Sequence, residues 1–198
     1  ASCDWSSDVC SSDLYTYAQP AHPAVDGLIL QAPVSDREFI ATTPLPALPA
    51  LPPTESPSST FVPSGISSVF GPTRVTYARW SSLALPPPLP SAVVDPAMCE
   101  DFFSSDLSDE RLDTVFGKAK DAGLSVLGLL MGEDESYPEH VRGALDSLAA
   151  RFAKASGKSW NGESGVVRGP GAGHAPEGEP ERREMEGRIM RFLLSLTH

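Results

Sequence analysis

Cysteine is scarce, with three in 198 residues, at Cys3, Cys10 and Cys99. So few leave no basis for a disulfide framework, and a reducing, cytoplasmic setting is expected. Basic side chains are also in short supply. Fifteen Lys and Arg face 26 Asp and Glu, for a formal net charge of -11. A general nucleic-acid binder would need clustered cations, so that class is excluded. No apolar run approaches the ~18 residues of a membrane span, and no charged-then-apolar leader opens the chain. Neither membrane insertion nor secretion is expected. His22, His140 and His198 show no metal-ligand spacing with Cys99 or with one another, so no metal is expected. Gly157-Lys158-Ser159 resembles the end of a phosphate loop, but Phe152 stands where its first glycine belongs. It reads as a helix end.

Proline is abundant. There are 20 in the chain, about twice the usual ~5%. Twelve fall between Ala41 and Pro90, including Pro86-Pro87-Pro88. Proline removes amide donors and blocks helix continuation, so residues 41–70 are expected to form a proline-rich loop or degenerate lid. Residues Asp4 to Leu14 (DWSSDVCSSDL) resemble the reading-frame translation of a sequencing-library adapter. Residues 1–14 are therefore taken as a non-native tail, which would leave Cys99 as the sole native cysteine. The expected organisation is a tail at 1–14, a strand with its flanks at 15–40, the proline-rich insertion, and an ordered part at 71–198.

Outside the insertion, short apolar runs alternate with amphipathic stretches. Leu28-Ile29-Leu30, Leu124 to Met131 and Ser164 to Arg168 read as buried strands. Ser108 is placed to cap a helix that Gly117 would end, with Leu112, Val115 and Phe116 on its inner face. Glu139 to Ser156 reads as one helix with Val141, Leu145, Leu148 and Phe152 on one stripe and Gly157 as its stop. Glu181 to Leu196 reads as the last helix, with Met185, Ile189, Phe192, Leu193 and Leu196 inward. Strands alternating with helices imply an α/β layer architecture around a parallel sheet.

Two strand ends carry titratable residues. Gly132-Glu133-Asp134-Glu135 follows the second strand, and Gly169-Pro170-Gly171-Ala172-Gly173-His174 follows the third. In open α/β sheets, function sits beyond the carboxyl ends of strands. An acid after one strand and a histidine after a later one is the order of a Ser, Asp/Glu, His triad. There the histidine takes the nucleophile's proton while the carboxylate fixes its tautomer. Spacing alone leaves open a solvated turn and an exposed loop histidine. Asp36 and Arg37, just beyond the first strand, either face the site or form a structural ion pair. Arg79 and Trp80 either line a pocket or pack.

VDGLILQAPVSDRE, Tyr77-Ala78-Arg79-Trp80-Ser81-Ser82-Leu83, DFFSSDLSDERL, GEDESYPEHV and GAGH, in that order, resemble a family of fungal α/β-hydrolases. That family includes siderophore esterases that open fusarinine-type ester bonds. The resemblance implies the C-terminal half of an α/β-hydrolase fold and hydrolysis of a small carboxylic ester, with siderophore esters among the substrates it suggests. It makes Asp134 the triad acid and His174 the triad base, with Glu133 and Glu135 as turn residues. It implies no cofactor. The chain departs from the family at Ser136-Tyr137-Pro138 and at Ala175-Pro176. Its proline-rich stretch does not match a helical cap. No Gly-x-Ser-x-Gly elbow occurs anywhere: Gly65-Ile66-Ser67-Ser68-Val69 lacks the second glycine, and Gly162-Glu163-Ser164-Gly165 has the wrong spacing. These residues are thus expected to be a fragment without its nucleophile and inactive as an esterase. The alternative is a non-catalytic binding or scaffold protein of the same fold.

Overall fold

In the computed structural model, residues 25–86 and 101–197 are described. The adapter-like segment, all three cysteines, His22 and His198 lie outside them. Among the described residues, three strands run β1 (Gly27–Gln31), β2 (Ser125–Met131) and β3 (Gly165–Val167). Seven α-helices accompany them there: α1 (Asp36–Thr42), α2 (Ser64–Ser67), α3 (Tyr77–Ala84), α4 (Asp109–Asp121), α5 (Glu139–Arg142), α6 (Leu145–Ser156) and α7 (Glu179–Ser195). Of the described residues, 25–35 with 102–197 form one compact unit, and 36–86 with Asp101 form a second.

The first unit holds the sheet, in the order β1-β2-β3 with both pairings parallel. Strand β2 is central, and from Val126 to Met131 it is buried throughout. This is what a continuous apolar run becomes when both faces are covered. Period-two alternation divides its side chains. Leu28, Leu30, Val126 and Leu130 join Phe116 of α4 and Phe152 of α6 in one core. Leu127, Leu129 and Met131 join Phe192 of α7 in another. Trp160 packs against Gly128, where an added methyl group would come within 2.1 Å of its Cη2. The ring stacks edge-on against Phe116 and Phe152, at 6.3 and 6.4 Å between centroids.

Three helix boundaries differ from the sequence expectation. Helix α4 runs through Gly117 to Asp121 because Ala119, about one turn beyond Phe116, is fully buried and holds the last turn against the core. The stop is the left-handed Gly123, at φ +70°. The expected helix over 139–156 breaks at Gly143-Ala144, between α5 and α6. Gly143 contributes no side chain there and weakens the helix. Helix α7 starts two residues earlier than expected, at Glu179, and leaves Leu193 45% exposed. Leu193 sits one residue, about 100°, off the stripe that Phe192 buries.

Helix α4 begins as its sequence dictates, with the Ser108 hydroxyl accepting from the Arg111 amide at 3.2 Å. Arg151 of α6 donates to the carbonyls of Ser105 and Leu107, and with Lys154 it also pairs with Asp109. The Lys154 ammonium, then the Arg151 guanidinium, hold the Asp109 carboxyl below its ordinary value.

The second unit has its own small core of Val62, Ile66, Val75, Tyr77 and Trp80. Thr76 caps α3 through the Arg79 amide at 3.3 Å. Trp80 meets Phe70 edge-on, so it packs rather than lining a pocket. Arg37 donates to the buried Asp101 carboxylate at 2.6 Å, an ion pair within this unit.

Two glycine replacements should act in opposite directions. Gly128→Ala drives a methyl group into Trp160 and should cost about 1–3 kcal/mol. Gly117→Ala, which meets nothing within 4 Å, should gain about 0.5–1 kcal/mol. Urea unfolding of the two variants checks both signs. Because the Asp109 carboxyl is depressed, its contribution to stability is present above the unfolded pKa and is lost as pH falls through the folded one. Acid titration of unfolding should show this slope diminished in Asp109→Asn.

Candidate active site

The two predicted site residues lie at the carboxyl ends of neighbouring strands. Strand β2 ends at Met131 and β3 at Val167, paired in register. The Gly132 amide bonds the Val167 carbonyl at 2.9 Å, and the Glu133 amide bonds the Ala172 carbonyl at 2.9 Å. The acidic turn after β2 is thus stitched residue by residue to the glycine loop after β3. A side chain on Gly132 would meet the Val167 carbonyl oxygen at 2.9 Å, so only glycine allows this approach.

Asp134 turns back on itself. Its amide faces the Met131 carbonyl at 3.3 Å, and its Oδ1 accepts from the Ser136 amide at 2.8 Å. This is an Asx turn, in which a short acidic side chain caps the backbone two residues on. The turn leaves Oδ2 aimed at the glycine loop, where it meets His174 Nδ1 at 2.9 Å. Asp134 is fully buried, whereas the His174 side chain is 26% exposed. A buried carboxylate is unfavourable without donors, and here each oxygen has one. With an acceptor at Nδ1, the neutral ring carries its proton there and leaves Nε2 unprotonated.

The loop is shaped to deliver the ring. Gly169 has φ +131°, a conformation that residues with side chains rarely adopt. The Ala172 amide returns to the Gly169 carbonyl at 3.0 Å, and the Glu177 amide to the Gly171 carbonyl at 3.2 Å. The Ala172 side chain is wholly buried, which pins the loop between two glycines. Glu135, itself exposed, accepts from the His174 amide at 3.3 Å. The acid pair therefore divides its work: Asp134 holds the ring and Glu135 the backbone. Glu133 contributes its amide only. Among the described residues, no three His, Cys, Asp or Glu side chains gather as metal ligands.

Sequence reasoning passed over Tyr137 except as a departure from the family pattern. It is buried, its amide bonds the Asp134 carbonyl at 3.2 Å, and its hydroxyl donates to the Pro33 carbonyl at 2.8 Å. It ties the acidic turn to the end of β1, where Ala32 stands in the left-handed region at φ +49°. The available signal was an aromatic residue with a polar tip set between a turn and a proline. Tyr137→Phe should leave the Pro33 carbonyl without this donor and cost about 1–3 kcal/mol in thermal or urea unfolding.

Known proteins resemble this chain over most of its length. It is 31% identical to an esterase of Emericella nidulans, over 88% of this chain and 54% of that protein. It is 30% identical to the fusarinine C esterase sidJ of Aspergillus fumigatus, over 87% of this chain and 56% of the relative. The solved structure of the siderophore hydrolase EstB from Aspergillus fumigatus superposes with a TM-score of 0.70 at 28% identity, covering 94% of this chain and 64% of that one. The chain spans just over half the length of the curated relatives it matches. The parallel sheet with helices on both faces is accordingly part of an α/β-hydrolase fold. The family described as a protein of unknown function, DUF1749, matches residues 7–194, and the chain belongs to it.

Proposed function

We propose that His174 and Asp134 are the general base and the orienting carboxylate of a carboxylic-ester hydrolase. The observation that carries this reading is the 2.9 Å contact between a fully buried carboxylate and a partly exposed imidazole. The names of the relatives, esterase and siderophore hydrolase, support the reaction class. Siderophore esters are the substrate class we carry over from them.

The chemistry follows from the tautomer. Nε2, unprotonated in that tautomer, takes the proton of an attacking alcohol as it adds to the ester carbonyl. The imidazolium so formed keeps its Nδ1 proton against Asp134, whose charge stabilises it. Nε2 then returns the proton to the departing alkoxide. Water repeats the sequence on the acyl intermediate.

The attacking alcohol is the missing part. No Gly-x-Ser-x-Gly stands in these 198 residues. We propose that they form a fragment inactive by itself, and that a nucleophile would come from outside them. Losing a triad serine costs on the order of a millionfold in turnover. The residues should therefore show no hydrolysis of an activated ester or of a fusarinine-type ester above the buffer rate, measured by product release. Joined to the unmatched part of the Aspergillus fumigatus fusarinine C esterase, they should hydrolyse the ester. In that chimera Asp134→Asn should lower turnover by about 10⁴ and His174→Ala by about 10⁴–10⁶. A His174→Ala chimera as fast as its parent would refute the assignment. A folded, inactive chimera would favour a non-catalytic binding role instead.

A further inference from the structure

One buried acid takes no part in the chemistry above. Glu181 is 5% exposed and sits in the first turn of α7, three residues after the N-cap Gly178. Its carboxyl group fills the space that three glycines leave open. A methyl group on Gly169 would lie 1.9 Å from Glu181 Oε1. One on Gly178 would lie 1.9 Å from Oε2, and one on Gly171 2.9 Å from Oε2. Gly169 and Gly171 belong to the loop that ends in His174, and Gly178 closes the segment that follows it. A single carboxylate thus touches both ends of the stretch that presents the imidazole.

Gly178 is the informative position. Its φ of −71° and ψ of 133° suit any residue. Backbone freedom therefore does not call for glycine there. Room for the Glu181 carboxylate, and for the close pass of Gly171, does. Charge points the same way. The neighbouring Arg182 and Arg183 pair with Glu179 and leave Glu181 to the loop. A carboxylate in the first turn is also favoured by the unpaired amides and positive end of the helix. Burying a charged side chain among backbone groups costs free energy, so the site persists because the loop and helix start are shaped around it.

We propose that Glu181 is a positioning residue: its carboxyl group braces residues 169–178 against α7 and so sets His174 Nδ1 on Asp134. The inference rests on the reading of His174 as a base held by Asp134. Glu181 touches no reacting atom. It acts through the loop, and emptying its cradle lets the ring leave the carboxylate.

Nitrogen NMR of the 198-residue chain with ¹⁵N-labelled histidine tests this. At pH 8 free imidazole, with a pKa of about 6.5, is neutral. His174→Ala identifies the resonances. The parent should show one tautomer, protonated at Nδ1. Glu181→Ala should lose that signature and show a mixture of tautomers. Gly178→Ala, which expels the carboxylate without removing it, should do the same. Glu181→Gln, which keeps the shape and one oxygen, should retain the parent spectrum. Glu179→Gln, on the same helix turn but exposed, should leave it unchanged. The proposal is overturned if Glu181→Ala and Gly178→Ala both keep the single tautomer, or if Glu181→Gln is as deranged as Glu181→Ala. Should Glu181→Ala fail to fold by circular dichroism, Gly178→Ala and Glu181→Gln decide. Asp134→Asn separates the two levels. If it leaves the parent spectrum intact, the pairing of His174 with Asp134 is itself wrong; if it alters the spectrum while the Glu181 variants do not, only the role of Glu181 falls.

Discussion

The bond between the His174 ring and the Asp134 carboxylate depends on β2 and β3 being adjacent and parallel. Both strands then end on the same side of the sheet, and the segments that follow begin a few ångströms apart. The two amide bonds from Gly132 and Glu133 carry the strand register past the sheet edge into the loops. By the time the chains reach Asp134 and His174, little freedom remains for either side chain. The imidazole reaches a buried charge because the backbone beneath it is already joined.

That arrangement has an electrostatic logic. Asp134 is removed from water, and its oxygens are met by one backbone amide and one ring nitrogen. In a low-dielectric setting such bonds are strong when made and costly when lost. The exposed Glu135 works on the same residue through its backbone, at a longer distance and in contact with solvent. Two consecutive acids thus do different things because one side chain turns inward and the other outward. Tyr137 extends the network to the end of β1, so all three strand ends converge on one acidic turn.

Within the proline-rich stretch, residues 43–63 form no regular element, and Val62 and Ile66 join Val75, Tyr77 and Trp80 from beyond it in one small core. The prolines of this stretch punctuate turns around that core, with α3 started by the Thr76 hydroxyl. Loss of amide donors prevents long elements there, but short helices and an isolated bridge between Phe61 and Thr76 survive.

The amino-acid sequence by itself determined the strands, most of the helix faces, and the identity of the acid and the histidine as candidates. Those features follow from local periodicity, from caps such as Ser108, and from the tendency of chemistry to collect after strand ends. Local spacing could not determine that Asp134, rather than Glu133 or Glu135, would meet the ring, since three acids in four residues are equivalent until the Asx turn orients one of them; only the likeness to a family singled it out beforehand. Nor could it show that Gly178 leaves room for a buried Glu181, that Gly128 is a floor for Trp160, or that the helix over 139–156 is broken. Such facts arise from contacts between segments far apart along the chain. Distance in space is set by the packing of the whole sheet and its helices, and no local pattern carries it.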